Sequence, residues 1–234
     1  MTQTVLYDRK ANLDYIPRVA AVHDLCGYGK CSLGIAIPVV SAGGCDVCPV
    51  PTGLFSSHTA FPGWYMHDTT DILPDYLAAW QNIGVEIDAI YSGFLGAPEQ
   101  VDIIRSLYER YPKALRVVDP VMADHGKVYP TYTPELCTAM ADLACDADIL
   151  TPNLTEAAII LGEEWHGTDI SNDEAKRIID ALIEKGAKNV VLKGVQREGE
   201  SVIRNFAAGV DIDFFEASNE YLPYMLHGTG DLYC

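Results

Sequence analysis

The chain has 234 residues, 49% of them hydrophobic and 21% charged, a balance that excludes disorder over most of its length and suits one or two globular domains. Its net charge of −17 argues against a nucleic-acid partner or an anionic membrane surface, because both call for a basic face. A nucleotide stays possible, since Mg²⁺ and backbone N–H groups hold phosphate inside acidic proteins.

Met1 to Arg18 lacks the apolar core of a signal peptide, and no stretch approaches the ~18 apolar residues of a membrane helix. We expect a soluble, cytoplasmic protein. Short β-rich runs alternate with amphipathic stretches. Arg18 to Asp24 reads as a buried strand, followed by a turn at Gly27 and Gly29 and a helix from Cys31 to Ala42 that Gly43-Gly44 ends. Cys45 to Pro51 reads as a second strand and Ser56 to Thr70 as a loop. Helices are expected at Asp71 to Ile83, Pro98 to Arg110, Pro134 to Leu143, from Asn153 to Leu161, and at Ser171 to Lys185 with Ser171 as its cap. Strands are expected at Ile87 to Ser92, Leu115 to Asp119, Asp148 to Leu150 and Asn189 to Leu192. Ser201 to Ala207 and Val210 to Phe215, joined by an Ala208-Gly209 turn, read as an antiparallel hairpin. Repeated β-α units imply an α/β fold: a mostly parallel central sheet with helices on both faces, and the hairpin extending one edge.

The seven cysteines are odd in number and irregular in spacing, which suits reduced thiols. Cys45 and Cys48 are the one CxxC pair, but on a strand they face opposite sides, and no second pair accompanies them for zinc.

Ligands of open α/β sheets sit beyond the carboxyl ends of the strands, and the polar clusters fall there. In His227-Gly228-Thr229-Gly230-Asp231, two glycines around a threonine can turn backbone N–H groups toward one anion, with Asp231 beside it to accept a proton. Taken locally, it is equally a glycine turn with Asp231 as a helix cap. Asn153 and Glu156 form a capping box, and the same geometry could order Mg²⁺ and phosphate. Asp119 ends a strand and Asp124 follows in a loop; they could serve a cation or merely solvate. Lys193 could meet phosphate as a point charge or end its strand in solvent. His58 and Thr59 lie in a polar loop, and Asp24 ends the first strand. The G-x-x-x-x-G-K-[ST] loop, G-x-G-x-x-G after the first strand and the hydrolase G-x-S-x-G are absent.

Four segments, in order, resemble the pyridoxal (pyridoxamine) kinases of the ribokinase-like superfamily: Leu54 to Phe61, Ser92-Gly-Phe-Leu-Gly96 with Glu99-Gln100, Asp119-Pro-Val-Met122 with Thr151 to Glu156, and Gly228-Thr-Gly-Asp231. The resemblance implies transfer of phosphate from ATP, with Mg²⁺, to the 5′-hydroxymethyl group of a B6 vitamer. Asp231 would be the base and Gly228, Thr229 and Gly230 the anion hole. Asp119, Asp124, Asn153, Glu156 and Lys193 would serve Mg²⁺ and the phosphates, with Glu156 and Asp119 nearest the metal. Asp24, His58, Thr59 and Phe94 would line the pyridine pocket. Phe94 stands where the family often has Tyr, and Asp24 where it often has Ser. Relatives continue with a helix behind the last motif, so the resemblance implies one kinase domain over residues 1–234 without that C-terminal helical segment. It also implies a homodimer. The competing readings are a hydroxymethylpyrimidine kinase of the same superfamily and a non-catalytic B6-binding protein.

Overall fold

The computed structural model describes residues 15–210, 212–222 and 228–233. Residues 1–14, Asp211 of the expected hairpin, His227 of the last motif and Cys234 lie outside the described residues.

The elements follow in the order β1 (Arg18–Cys26), α1 (Leu33–Ala42), β2 (Asp46–Phe55), β3 (Met66–Asp68), α2 (Leu73–Asn82), β4 (Ala89–Ser92), α3 (Glu99–Arg110), β5 (Leu115–Val118), β6 (Ala123–Asp124), β7 (Lys127–Val128), α4 (Pro134–Ala144), β8 (Ile149–Leu150), α5 (Leu154–Leu161), α6 (Asn172–Glu184), β9 (Asn189–Gln196), β10 (Val202–Gly209), β11 (Ile212–Glu220) and α7 (Thr229–Tyr233). Nine of the strands form one sheet, ordered β11-β10-β9-β8-β5-β4-β1-β2-β3. The six from β9 to β2 run parallel, and antiparallel strands close both edges. The expected α/β fold is therefore the observed one.

The chain passes from β1 to β2 on one side, then returns to β4 on the other side of β1. The carboxyl ends of β1 and β4 thus flank the point where the winding reverses, the usual place for a ligand crevice.

Alternation along the strands sorts side chains between two apolar layers. Ala20, Val22, Ile90, Val118 and Leu150 face the larger layer, made with α2 to α6; Val19, Ala21, Tyr91 and Val117 face the smaller one, made with α1. Cys48 packs with the first layer and Cys45 with the second, on opposite sides of the sheet.

The structure differs from the sequence reading in several places; β2, β9 and β11 run on to Phe55, Gln196 and Glu220, past their expected ends. The stretch Ser56 to Thr70 is not all loop: β3 pairs with Gly53 to Phe55 at the sheet edge. Asp124 belongs to a short hairpin, β6 with β7, too brief to leave a periodic signal. The Ala208-Gly209 turn falls later, between Gly209 and Ile212, because Ala208 and Gly209 still pair with Val190 and Asn189 of β9.

Candidate functional site

Asp231 lies in the first turn of α7, whose start packs on the start of α1. Its Oδ2 accepts the Ser32 backbone N–H at 2.9 Å. Gly228 adopts a φ of +79°, and a Cβ there would stand 2.7 Å from the Lys30 carbonyl oxygen, so this turn admits only glycine without strain. Burial, opposed by the Ser32 N–H and reinforced by Asp119 and Asp24, raises the Asp231 carboxyl to about 6.

Lys193, in β9, reaches the same place. Its Nζ is 3.0 Å from Asp119 Oδ1 and would be 3.8 Å from a Cβ on Gly230. It therefore bridges the acid after β5 and the glycine turn of α7. Asn153 holds a backbone bridge to Lys193 across the neighbouring strand ends. The Asn153–Glu156 capping box is fully formed: Asn153 Oδ1 accepts the Glu156 N–H at 2.9 Å, and Glu156 Oε2 accepts the Asn153 N–H at 2.8 Å. Glu156 Oε1 also accepts the Met122 N–H at 3.3 Å. Burial first, then the Asp119 charge, push the Glu156 carboxyl well above the usual range.

Asp24 is buried at the end of β1, where the pairing with β2 slips between His23 and Leu25. Burial raises its carboxyl, and Oδ2 accepts from the Cys26 thiol at 3.6 Å. Thus Asp24, Asp119, Asn153, Glu156, Lys193 and Asp231 converge.

The other expected positions stand apart from that cluster. Asp124 is exposed on its hairpin, where Oδ1 takes the His125 N–H. Thr59 is exposed. His58 is half-buried; its Nδ1 accepts the Ala60 N–H at 3.1 Å, and its own N–H donates to the Tyr28 carbonyl, tying this loop to the turn after β1. The Phe94 ring is 7% exposed and packs edge-on against Phe55 and Tyr132 within the core, which leaves it little surface to offer a ligand.

The sequence reading passed over His23. It points to the α1 side of β1, fully buried, and neither ring nitrogen is hydrogen-bonded to any of the described residues. Its ring meets Tyr91 edge-on at 4.3 Å and lies against Gly93, where a Cβ would come within 2.1 Å of Cε1. Burial lowers its pKa to about 4. Within a run of apolar residues only the strand parity shared by His23, Asp119 and Lys193 could have marked it. The Ser32 N–H left no side-chain signal at all.

A family profile described as phosphomethylpyrimidine kinase matches residues 58–234. The chain belongs to this kinase family. Pyridoxal kinase PdxY of Histophilus somni is 33% identical over 168 residues, 68% of this chain and 56% of that protein. The chain spans about half the length of the curated relatives it matches. Among solved structures, a Bacteroides thetaiotaomicron protein described as a phosphomethylpyrimidine kinase and crystallised with pyridoxal is 36% identical with a TM-score of 0.87, covering 93% of this chain and 77% of that one. The pyridoxal kinase of Lactobacillus plantarum is 30% identical with a TM-score of 0.82, covering 93% and 77%. The fold of this family is the ribokinase-like one that the four motifs resemble.

Proposed function

We propose that this kinase transfers the γ-phosphoryl group of MgATP to the 5′-hydroxymethyl group of pyridoxal, pyridoxamine or pyridoxine. The observation that carries the reading is Asp231, tethered through Oδ2 to the Ser32 N–H and set in a turn whose Gly230 lies beside Lys193. That tether leaves Oδ1 to take the hydroxyl proton as the oxygen attacks phosphorus. The backbone N–H groups of Gly228 to Gly230 and the Lys193 ammonium face the transferring phosphoryl, where positioning and charge neutralisation supply most of the catalysis. Asp24 and His58 bound the proposed pyridine pocket.

The donor set fits Mg²⁺. Asp119 and Glu156 are buried acids close enough for one to raise the other, with Lys193 beside them. Asp119, Glu156 and Asn153 would hold the ion directly or through water, and it would neutralise phosphate charge. Asp124 stands further out and would act through solvent.

The kinase domain is taken as one unit over residues 1–234, because strands from Arg18 to Glu220 share one sheet. Among the described residues no helix is long and apolar enough to cross a membrane. A cytoplasmic homodimer rests on family resemblance alone.

A second reading, a hydroxymethylpyrimidine kinase, is favoured by the family description of the matching profile. The decisive experiment measures ADP release with MgATP and each of pyridoxal, pyridoxamine, pyridoxine and hydroxymethylpyrimidine. Turnover with a B6 vitamer at higher kcat/KM than with the pyrimidine supports the proposal. The reverse order supports the second reading. Binding of a vitamer without ADP release replaces both with a non-catalytic role.

A further inference from the structure

The end of β1 and the turn that follows it hold three ligand atoms outside the proposed Mg²⁺ and phosphate groups. A carboxylate oxygen of Asp24 and the Sγ atoms of Cys26 and Cys31 all lie within 4.8 Å of one another. Asp24 and Cys31 are 4% and 9% exposed, and Cys26 is half-buried. We propose that Asp24, Cys26 and Cys31 form a site for a thiophilic divalent cation, Zn²⁺, separate from the Mg²⁺ and phosphate groups around Asp119.

The geometry already suits that ion. Tetrahedral zinc with ordinary Zn–S and Zn–O bonds separates a sulfur from an oxygen ligand by about 3.5 Å and two sulfurs by about 3.8 Å. The Cys26 Sγ to Asp24 Oδ2 distance is 3.6 Å, so the ligands need little movement to close on the metal. Two thiolates select zinc over the hard, oxygen-seeking Mg²⁺. Zinc is held by thiolates rather than thiols, so each cysteine gives its proton to solvent as the metal binds. Three protein ligands leave the fourth position to water or another small ligand.

The position gives such an ion a consequence. Ser32, next to Cys31, donates the N–H that holds Asp231, and Asp24 bounds the proposed pyridine pocket. Resting on the proposed kinase reading, zinc withdraws Asp24 from the vitamer and lowers turnover without touching the phosphate groups.

The test is zinc titration of the reduced, chelator-treated full chain against a chromophoric chelator, repeated with Co²⁺ to read sulfur-to-metal charge-transfer absorption. The expected result is about one equivalent bound, with the Co²⁺ band present. Asp24→Asn, Cys26→Ser and Cys31→Ser should each weaken binding by at least ~10-fold, and Cys45→Ser should leave it unchanged. Affinity unaltered by Cys26→Ser, or a Co²⁺ complex with no sulfur band, overturns the site. Should buried Cys31→Ser fail to fold, half-buried Cys26→Ser decides alone. Binding is read without turnover. A chain that takes up zinc but, freed of zinc, releases no ADP with MgATP and a vitamer refutes only the kinase reading, and an active chain that binds no zinc refutes only this one.

Discussion

The Lys193 ammonium stands 3.0 Å from Asp119 Oδ1, across 74 residues of sequence, with side chains 11% and 3% exposed. A pair this deep gains Coulomb energy but costs desolvation, and removing one partner strands the other. Lys193→Met should therefore destabilise the protein by roughly 3 kcal/mol. The Asp119→Asn/Lys193→Met double variant should lose clearly less than the two single losses added. Urea denaturation of the four proteins gives the coupling; strict additivity would show that the charges do not sense each other.

On the proposed function, Asp231 sets the acid limb of activity. Burial above all raises its carboxyl from the model-peptide value of 3.8 to about 6, and only the ionised form accepts a proton. On the proposed function, kcat/KM should fall about tenfold per pH unit below that point, and Asp231→Asn should lose at least ~10²-fold. A profile flat down to about pH 5 would remove Asp231 from the role of base.

His23 makes stability, too, sensitive to acid. Its pKa is lowered from 6.5 to about 4 by burial, so the unfolded chain takes up a proton before the folded one does. The stability this neutral imidazole secures is present above about pH 6.5 and drains away as pH falls toward about 4, with on the order of 3 kcal/mol at stake. His23→Gln should flatten that window in denaturation curves taken at several pH values. Parallel pH curves for the two proteins would place the acid sensitivity elsewhere.

Gly93 exists where it does because of that imidazole. A Cβ at this position would overlap Cε1 of His23 at 2.1 Å, so Gly93→Ala should cost roughly 1–3 kcal/mol by overpacking. Adding His23→Ala should recover part of the loss in thermal melts, since the obstructing ring is gone. Failure of the second change to help would mean that backbone conformation, not the ring, demands glycine.

Two helix caps separate stability from chemistry. Asn153 caps α5 and Ser171 caps α6 through the same kind of side-chain bond. Each alanine variant should lose about 1 kcal/mol. Only Asn153→Ala should also reduce kcat, because the Asn153 amide that caps the turn carrying Glu156 also donates through Nδ2 to the Ala123 carbonyl and sits among the proposed Mg²⁺ groups. Equal activity in the two variants would reduce Asn153 to a cap.

Local chemistry was legible in the sequence wherever the physics is local. The Asn153–Glu156 box and the Ser171 cap form as their spacing requires. The β-α alternation predicts the parallel sheet, and Cys45 and Cys48 do face opposite layers. The β6–β7 hairpin was missed because two-residue strands are too short for a periodic pattern.

The sequence by itself determined the layered α/β architecture, the capped helix starts and the polar residues gathered at strand ends, because periodicity and capping act within a few residues. Only the tertiary structure decided which of those residues meet. Strand order brings β9 near β5 across β8, and so puts Lys193 on Asp119. The packing of α7 on α1 places a backbone N–H from Ser32 on Asp231. The turn after β1 folds Cys31 back onto Asp24 and Cys26. Phe94, by contrast, goes to an aromatic cluster within the core. These are long-range pairings and buried charges, whose energies depend on neighbours far along the chain and on the loss of water around them.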